Sequence, residues 1–180
     1  PEEAEEDPLY LKHYLPRKFK IAIATPPHND TDIFTNDIGL ISIEENGTFT
    51  GFNVAIGGGM GTTHGNAQTY ARLATVIGFV PKEKVLDTVW QIVAVQRDFG
   101  NRSDRKLSRM KYTVDRLGVD VFKGEVEKRL GFALQPEKPY NFIERVDHYG
   151  WQEDVHGNHF CTLFVENGRV MDLPGYTIKS

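Results

Sequence analysis

Cysteine is almost absent: Cys161 is the only thiol in 180 residues. That excludes an internal disulfide framework and points to a reducing compartment, the cytoplasm. It also means that this chain cannot by itself supply the four thiolates of an iron–sulfur cluster or of an all-thiolate zinc site. No apolar run approaches the roughly 20 residues that span a bilayer, so no membrane partner is expected. The N-terminus lacks the basic-then-apolar pattern of a secretory signal. An excess of positive charge is missing too. A net charge of −4 argues against nucleic acid as a partner, since such binders are usually basic, and any positive site must therefore be local. In such a protein the sequons Asn46-Gly47-Thr48 and Asn101-Arg102-Ser103 are read as chance matches. The chain opens on Pro1 rather than Met and stops at Ser180, which gives the expectation of a piece cut from a longer protein. Its acidic start is read as part of a solvated linker remnant over 1–14.

What is present is organised around Leu15 to Asn29. If Arg17 to Ala24 is extended, its side chains alternate between two faces. One carries Arg17, Phe19, Ile21 and Ile23 and suits a core; the other carries Lys18, Lys20, Ala22 and Ala24. Two ammonium groups above small residues repel each other unless something anionic lies between them. The alternative is an edge strand that uses lysines to discourage aggregation. After Pro26-Pro27, a loop leads into a short helix around Ile33 to Asn36, with Asp30 or Thr31 as cap. His28, Asp30 and Asp32 lack the glycine and distal glutamate of a calcium loop, so capping is the better reading there.

Ile38 to Gly57 reads as a hairpin turned at Asn46-Gly47. It runs into Gly57-Gly58-Gly59-Met60-Gly61, where missing Cβ atoms would let a flat ligand or an anion approach the backbone. Thr62 stands where a dinucleotide fingerprint needs its third glycine, and a glycine bulge leaving the sheet is the structural alternative. The spacing predicts helices over Asn66 to Gly78, Pro81 to Phe99, Tyr112 to Gly118 and Asp120 to Leu130. Trp90 is placed in the core. Between the second and third helices, Arg102, Arg105, Lys106, Arg109 and Lys111 put five cations in ten positions. That island suits carboxylates or phosphates, unless it is simply a solvated face. A strand is expected around Tyr140 to Val146, and from Gly150 a small meander. His156, His159 and Cys161 have no fourth zinc ligand nearby and are read as turn and strand residues. The fold class is therefore α+β: a mixed β-sheet from the Lys18, Ile38, Phe52 and Tyr140 regions, covered by helices. The domains are expected at 15–147, with 148–180 opening a second, truncated half-domain.

With these pieces placed, the sequence resembles the siroheme- and [4Fe–4S]-containing nitrite/sulfite reductase family. The matching segments are Leu15-Pro-Arg-Lys-Phe-Lys20, Asn29-Asp30, Thr35-Asn-Asp37, Gly51-Phe-Asn53 and Gly57-Gly-Gly59. They continue through Gln96-Arg-Asp98, Gly100-Asn-Arg102, Asp104-Arg-Lys106, Lys111-Tyr112 and Leu163 to Arg169. The resemblance implies six-electron reduction of sulfite at siroheme coupled to a [4Fe–4S] cluster, with 148–180 ferredoxin-like. It assigns Lys18 and Lys20 to the bound anion as the catalytic pair. Nitrite-reducing relatives usually carry a neutral residue at the position of Lys20, so this lysine favours sulfite; nitrite reduction is the alternative within the family, and a non-catalytic anion-binding module the alternative outside it. Arg17, Gly58, Gly59, Arg105 and Arg109 are assigned to siroheme, Arg109 standing where some relatives have lysine. The electron donor implied is ferredoxin or a flavoprotein reductase. The four cluster cysteines and further arginines would lie outside this chain, so the fragment alone is expected to be inactive and to hold neither cofactor.

Overall fold

The computed structural model describes residues 6–168, 170–172 and 174–175. Its central feature is a hairpin that forms for a local reason. Asn46 and Gly47 both take positive φ, 54° and 75°, the pair of values that a tight two-residue turn needs. The turn joins strand Ile38–Glu45 to strand Thr48–Ile56. With one strand before them and one after, these are numbered β1 (Ile21–Ala24), β2 (Ile38–Glu45), β3 (Thr48–Ile56) and β4 (Thr75–Pro81). They form one sheet in the order β1-β2-β3-β4. The β1–β2 pair is parallel and the other two are antiparallel. Three helices follow, α1 (Val85–Phe99), α2 (Met110–Leu117) and α3 (Val119–Leu130).

The main core lies between sheet and helices. Ile38, Leu40, Val54, Ile56, Ile77 and Val80 meet Ile92, Val95, Met110, Val114, Phe122 and Val126 there. The opposite side of the sheet is covered more thinly: Ala24, Ile33 and Ile41 are buried with help from Phe34, Tyr140 and Phe142. The α+β class and the mixed sheet are as expected, but several elements differ. β1 starts at Ile21, and Arg17 to Lys20 precede it outside any strand. Its isoleucines do not form the buried face: Ile21 and Ile23 are about half exposed, whereas Ala24 is buried against Ile33 and Ile41. Ile21 lies with Phe19 on a concavity shared with Leu86, Val89, Trp90 and Val93 of α1, which leaves it half exposed.

The helix expected over Asn66 to Gly78 is instead an irregular loop followed by β4. An apolar run such as Ala74 to Val80 fits a buried strand as well as a helix, and periodicity does not separate them. The strand expected at Tyr140 to Val146 does not form either. Asn53 intercepts the connector first: its Nδ2 donates to the Lys138 carbonyl at 2.7 Å, and its Oδ1 accepts from the Lys138 N–H at 3.0 Å. This carries Tyr140 and Phe142 across the sheet face, where their rings pack, rather than along its edge. Trp90, expected in the core, is 41% exposed. The short helix at Ile33–Thr35 is a 3₁₀ turn, and neither Asp30 nor Thr31 caps it. Asn29 Oδ1 accepts from the Ile33 N–H at 2.8 Å instead.

Within the described part of 1–14, the chain is held by two arginines. Arg97 donates to the Leu9 carbonyl, and Arg102 donates to the carbonyls of His13 and Tyr14. Arg97 also forks onto Asp98, which takes a further ion pair at 2.8 Å from Arg129 of α3. Arg97 first and Arg129 second hold the Asp98 carboxyl below the ordinary aspartate value of 3.8. A depressed folded-state value adds stability above the ordinary pKa that is lost as pH falls through the folded one. The carboxylate keeps 36% of its side-chain exposure, so Asp98→Asn is expected to cost only about 0.5–1 kcal/mol at neutral pH. Urea midpoints should show that difference fading as the pH drops below 3.8.

The chain divides into two units, 1–145 and 146–180. The second contains a hairpin of β5 (Gly150–Glu153) and β6 (His159–Thr162), its turn closed by Asp154, which accepts from the N–H groups of His156 and Asn158. Among the described residues, neither His156, His159 and Cys161 nor His28, Asp30 and Asp32 gather as a ligand set. No helix among the described residues is long and apolar enough to cross a membrane.

Candidate functional site

The local backbone brings separate basic segments to one place. Arg17 and Lys18 stand just before β1, where the chain is not yet paired. Arg105 and Lys106 lie on a 3₁₀ turn capped by Asp104, whose Oδ1 accepts from the Lys106 N–H at 2.8 Å. Arg109 immediately precedes α2, and Tyr112 sits in its first turn. Together with Gly61, Thr62, Thr63 and Thr69, these residues line a concavity of about 570 Å³. Among the described residues, no carboxylate forms an ion pair with Arg17, Lys18, Arg105 or Lys106. A protein of net charge −4 thus gathers five cations on one hollow, against the single lining carboxylate of Asp104. Such a hollow attracts an anion with several separated charges more than a single one.

Lys20 is not part of that lining. Its Nζ donates to the Thr35 carbonyl at 3.3 Å, and its backbone N–H donates to Asp37 Oδ2 at 2.9 Å. Asp37 is fully buried and was not legible as a site residue; it lies in a short polar stretch before an apolar strand. Its carboxylate also accepts from Arg109 Nε at 3.3 Å and Nη2 at 3.1 Å. One buried carboxylate therefore fixes both the Lys20 backbone and the Arg109 guanidinium.

Gly58 and Gly59 do not line the concavity; they lie behind its wall, buried. The N–H groups of Gly57, Gly58 and Gly59 donate to the carbonyls of Asp37, Asn36 and Arg72. These three amides are therefore engaged within the chain, and the anion-binding nest that the glycine run invites does not form from them. Of the run, Gly61 reaches the concavity. The five-cation island is likewise divided. Arg102 faces the 7–14 segment and Lys111 is buried, which leaves Arg105, Lys106 and Arg109 at the hollow.

These features define a class: a sheet-and-helix domain with a cationic wall on one concavity. The particular family follows from comparison with known proteins. The family model described as "Nitrite and sulphite reductase 4Fe-4S domain" matches residues 2–134, and the chain belongs to that family. A sulfite reductase [NADPH] hemoprotein beta-component of Leptospira biflexa is 62% identical over 178 residues, covering 99% of this chain and 32% of that protein. The protein of the same name from Anoxybacillus flavithermus is 54% identical over 178 residues, covering 99% and 31%. The structure of Mycobacterium tuberculosis NirA matches with a TM-score of 0.68 and 27% identity, over 81% of this chain and 26% of that one. The chain thus spans about a third of the length of the curated relatives it matches.

The family's two cofactors fit this chain unequally. Unpaired Arg17, Lys18, Arg105 and Lys106, with Arg109 beside them, suit the carboxylates around a siroheme. One cysteine does not suit a four-thiolate cluster.

Proposed function

We propose that this chain is the central part of a sulfite reductase haemoprotein and supplies one cationic wall of its siroheme and sulfite site. The observation that carries the reading is the cluster of unpaired cations on one concavity in a chain of this family. In this reading Arg17 and Arg105 would hold siroheme carboxylates with their planar forks, and Arg109, whose Nε and Nη2 are engaged by Asp37, would add its remaining N–H groups. Siroheme would supply the iron and, with the cluster, pass on the six electrons that an external donor provides for reduction of sulfite to sulfide. Lys18, on the lining, holds the oxyanion, and Lys20 joins it once its Nζ leaves the Thr35 carbonyl, the pair delivering protons as oxygen leaves as water. Gly58 and Gly59 serve from behind, by allowing the wall to pack. Of the two donors considered, the relatives' name favours a partner component drawing on NADPH, a flavoprotein, over ferredoxin. The same reading places the work in the cytoplasm. It also assigns 15–147 to the central domain and 148–180 to the opening of the next.

The test uses the full-length protein that carries this segment. It is expected to be coloured by tetrapyrrole and to reduce sulfite faster than nitrite. Lys18→Met with Lys20→Met should lower kcat/KM for sulfite about 100-fold or more while tetrapyrrole content is kept. A colourless protein, or one that binds nucleotides and no haem, would overturn the reading. Faster turnover of nitrite would move it to the family's other substrate.

A further inference from the structure

Lys111 is buried more completely than any other cation among the described residues, and the concavity does not use its charge. It sits in the first turn of α2 with 1% of its surface exposed, and it is absent from the concavity lining. An ammonium has three N–H donors. All three directions are taken by backbone carbonyls of one irregular loop: Gly59 at 3.0 Å, Gly61 at 2.8 Å, and Tyr70. The rings of Tyr70 and Tyr112 lie beside it, with Nζ 4.9 Å from the Tyr112 centroid. Burial first, and the nearby Arg109 charge second, hold its pKa below the ordinary lysine value of 10.5, with Asp37 and Asp115 opposing them.

The loop between those carbonyls supplies Gly61, Thr62, Thr63 and Thr69 to the concavity. It belongs to no strand or helix. α2 also holds the far end of this loop through Asp115, which accepts from Tyr70 Oη at 2.8 Å and from Arg72 Nε at 2.6 Å. Over Gly61 to Thr69, Lys111 is the tie to the helix, and the rest closes on itself: Thr69 Oγ1 accepts from the Thr63 N–H at 2.8 Å and donates to the Asn66 carbonyl at 2.9 Å. The helix that carries Lys111 also carries Tyr112, and Arg109 stands directly before it. We propose that Lys111 is a positioning residue that fixes the glycine–threonine wall at a set distance from the arginine wall, so that the concavity holds the width of its polycarboxylate ligand. This rests on the proposed siroheme reading for the ligand, though not for the clamp itself.

The two parts are separable in the full-length protein. Lys111→Met should raise hydrogen exchange by about tenfold or more in peptides covering 61–70, while peptides of α1 and of the β2–β3 hairpin keep their protection. It should also raise the apparent Kd for siroheme in reconstitution about tenfold, through lost preorganisation. Because the Lys111 charge does not face the ligand, the slope of log Kd against log salt should stay at the wild-type value. Lys106→Met, which removes a charge lining the hollow, should lower that slope. Thr69→Val loosens the same wall from within and should repeat the Lys111→Met pattern more weakly, which covers a failure of Lys111→Met to fold. Unchanged exchange over 61–70, or unchanged siroheme affinity in a folded, siroheme-binding Lys111→Met protein, would overturn the inference. Wild-type protein that takes up no siroheme would instead overturn the proposed function, and the exchange data alone would then judge the clamp.

Discussion

Gly58→Ala is expected to destabilise the protein by about 3–5 kcal/mol, whereas Gly61→Ala, three positions along the same glycine run, should cost under about 0.5 kcal/mol. The contrast comes from what each Cβ would meet. At Gly58 it would lie 2.2 Å from the Phe34 carbonyl oxygen and 2.6 Å from that of Asn36, both of them backbone. A side chain could swing away; a carbonyl moves only with its chain. That chain is held on both sides, by Gly58 N–H to the Asn36 carbonyl at 3.0 Å and by Gly57 N–H to the Asp37 carbonyl at 2.9 Å. Overpacking costs about 1–3 kcal/mol, and each buried hydrogen bond lost adds about 1 kcal/mol. At Gly61 a Cβ would meet nothing within 4 Å. Denaturant unfolding of the two variants decides the matter. Equal losses would mean that the run is needed for backbone freedom along its length, and not for one close approach.

The glycine run shows what a sequence can and cannot tell. Five residues with four glycines announce that some atom comes close to the backbone. They do not say whether that atom belongs to a ligand or to the chain. At Gly58 it is the chain's own 34–36 turn, and at Gly59 the Arg109 and Lys111 side chains. The hairpin was legible because its turn chemistry is local: Asn46-Gly47 needs no partner to define it. The three helices after Pro81 were legible because apolar spacing and glycine stops agree. β4 was not, since its apolar run fits two periods and only pairing with β3 chooses between them. The basic island was visible as composition, but its division was not. Whether Arg102 or Arg105 faces the hollow depends on contacts with residues far along the chain, such as His13 and Tyr14. Asp37 was missed as a site residue, and Lys111 was read as part of the anion-facing island although it is buried, for the same reason: the groups they bind are distant in sequence.

Asp37→Asn carries the other large expectation, a loss of about 3 kcal/mol or more together with a displaced site. The carboxylate takes three donors: Lys20 N–H and Arg109 Nη2 on Oδ2, and Arg109 Nε on Oδ1. An amide has one acceptor oxygen, so whichever way it turns, an N–H group faces another N–H group. The guanidinium then keeps its burial, with only 15% of its side chain exposed, and loses its counter-charge. Removing one partner of a buried pair costs about 3–5 kcal/mol because the remaining charge stays desolvated. Arg109→Lys, which can still bring a cation to one oxygen, should cost less, about 1–2 kcal/mol. The double variant Asp37→Asn with Arg109→Met separates the pair from the rest of Asp37's role. If the cost is the stranded guanidinium, the double variant should be more stable than the sum of the single losses predicts, by about 2 kcal/mol. Additive losses would mean that the Lys20 backbone, not Arg109, is what Asp37 holds. In that case hydrogen exchange around Lys20 should rise with Asp37→Asn and stay near wild type with Arg109→Lys.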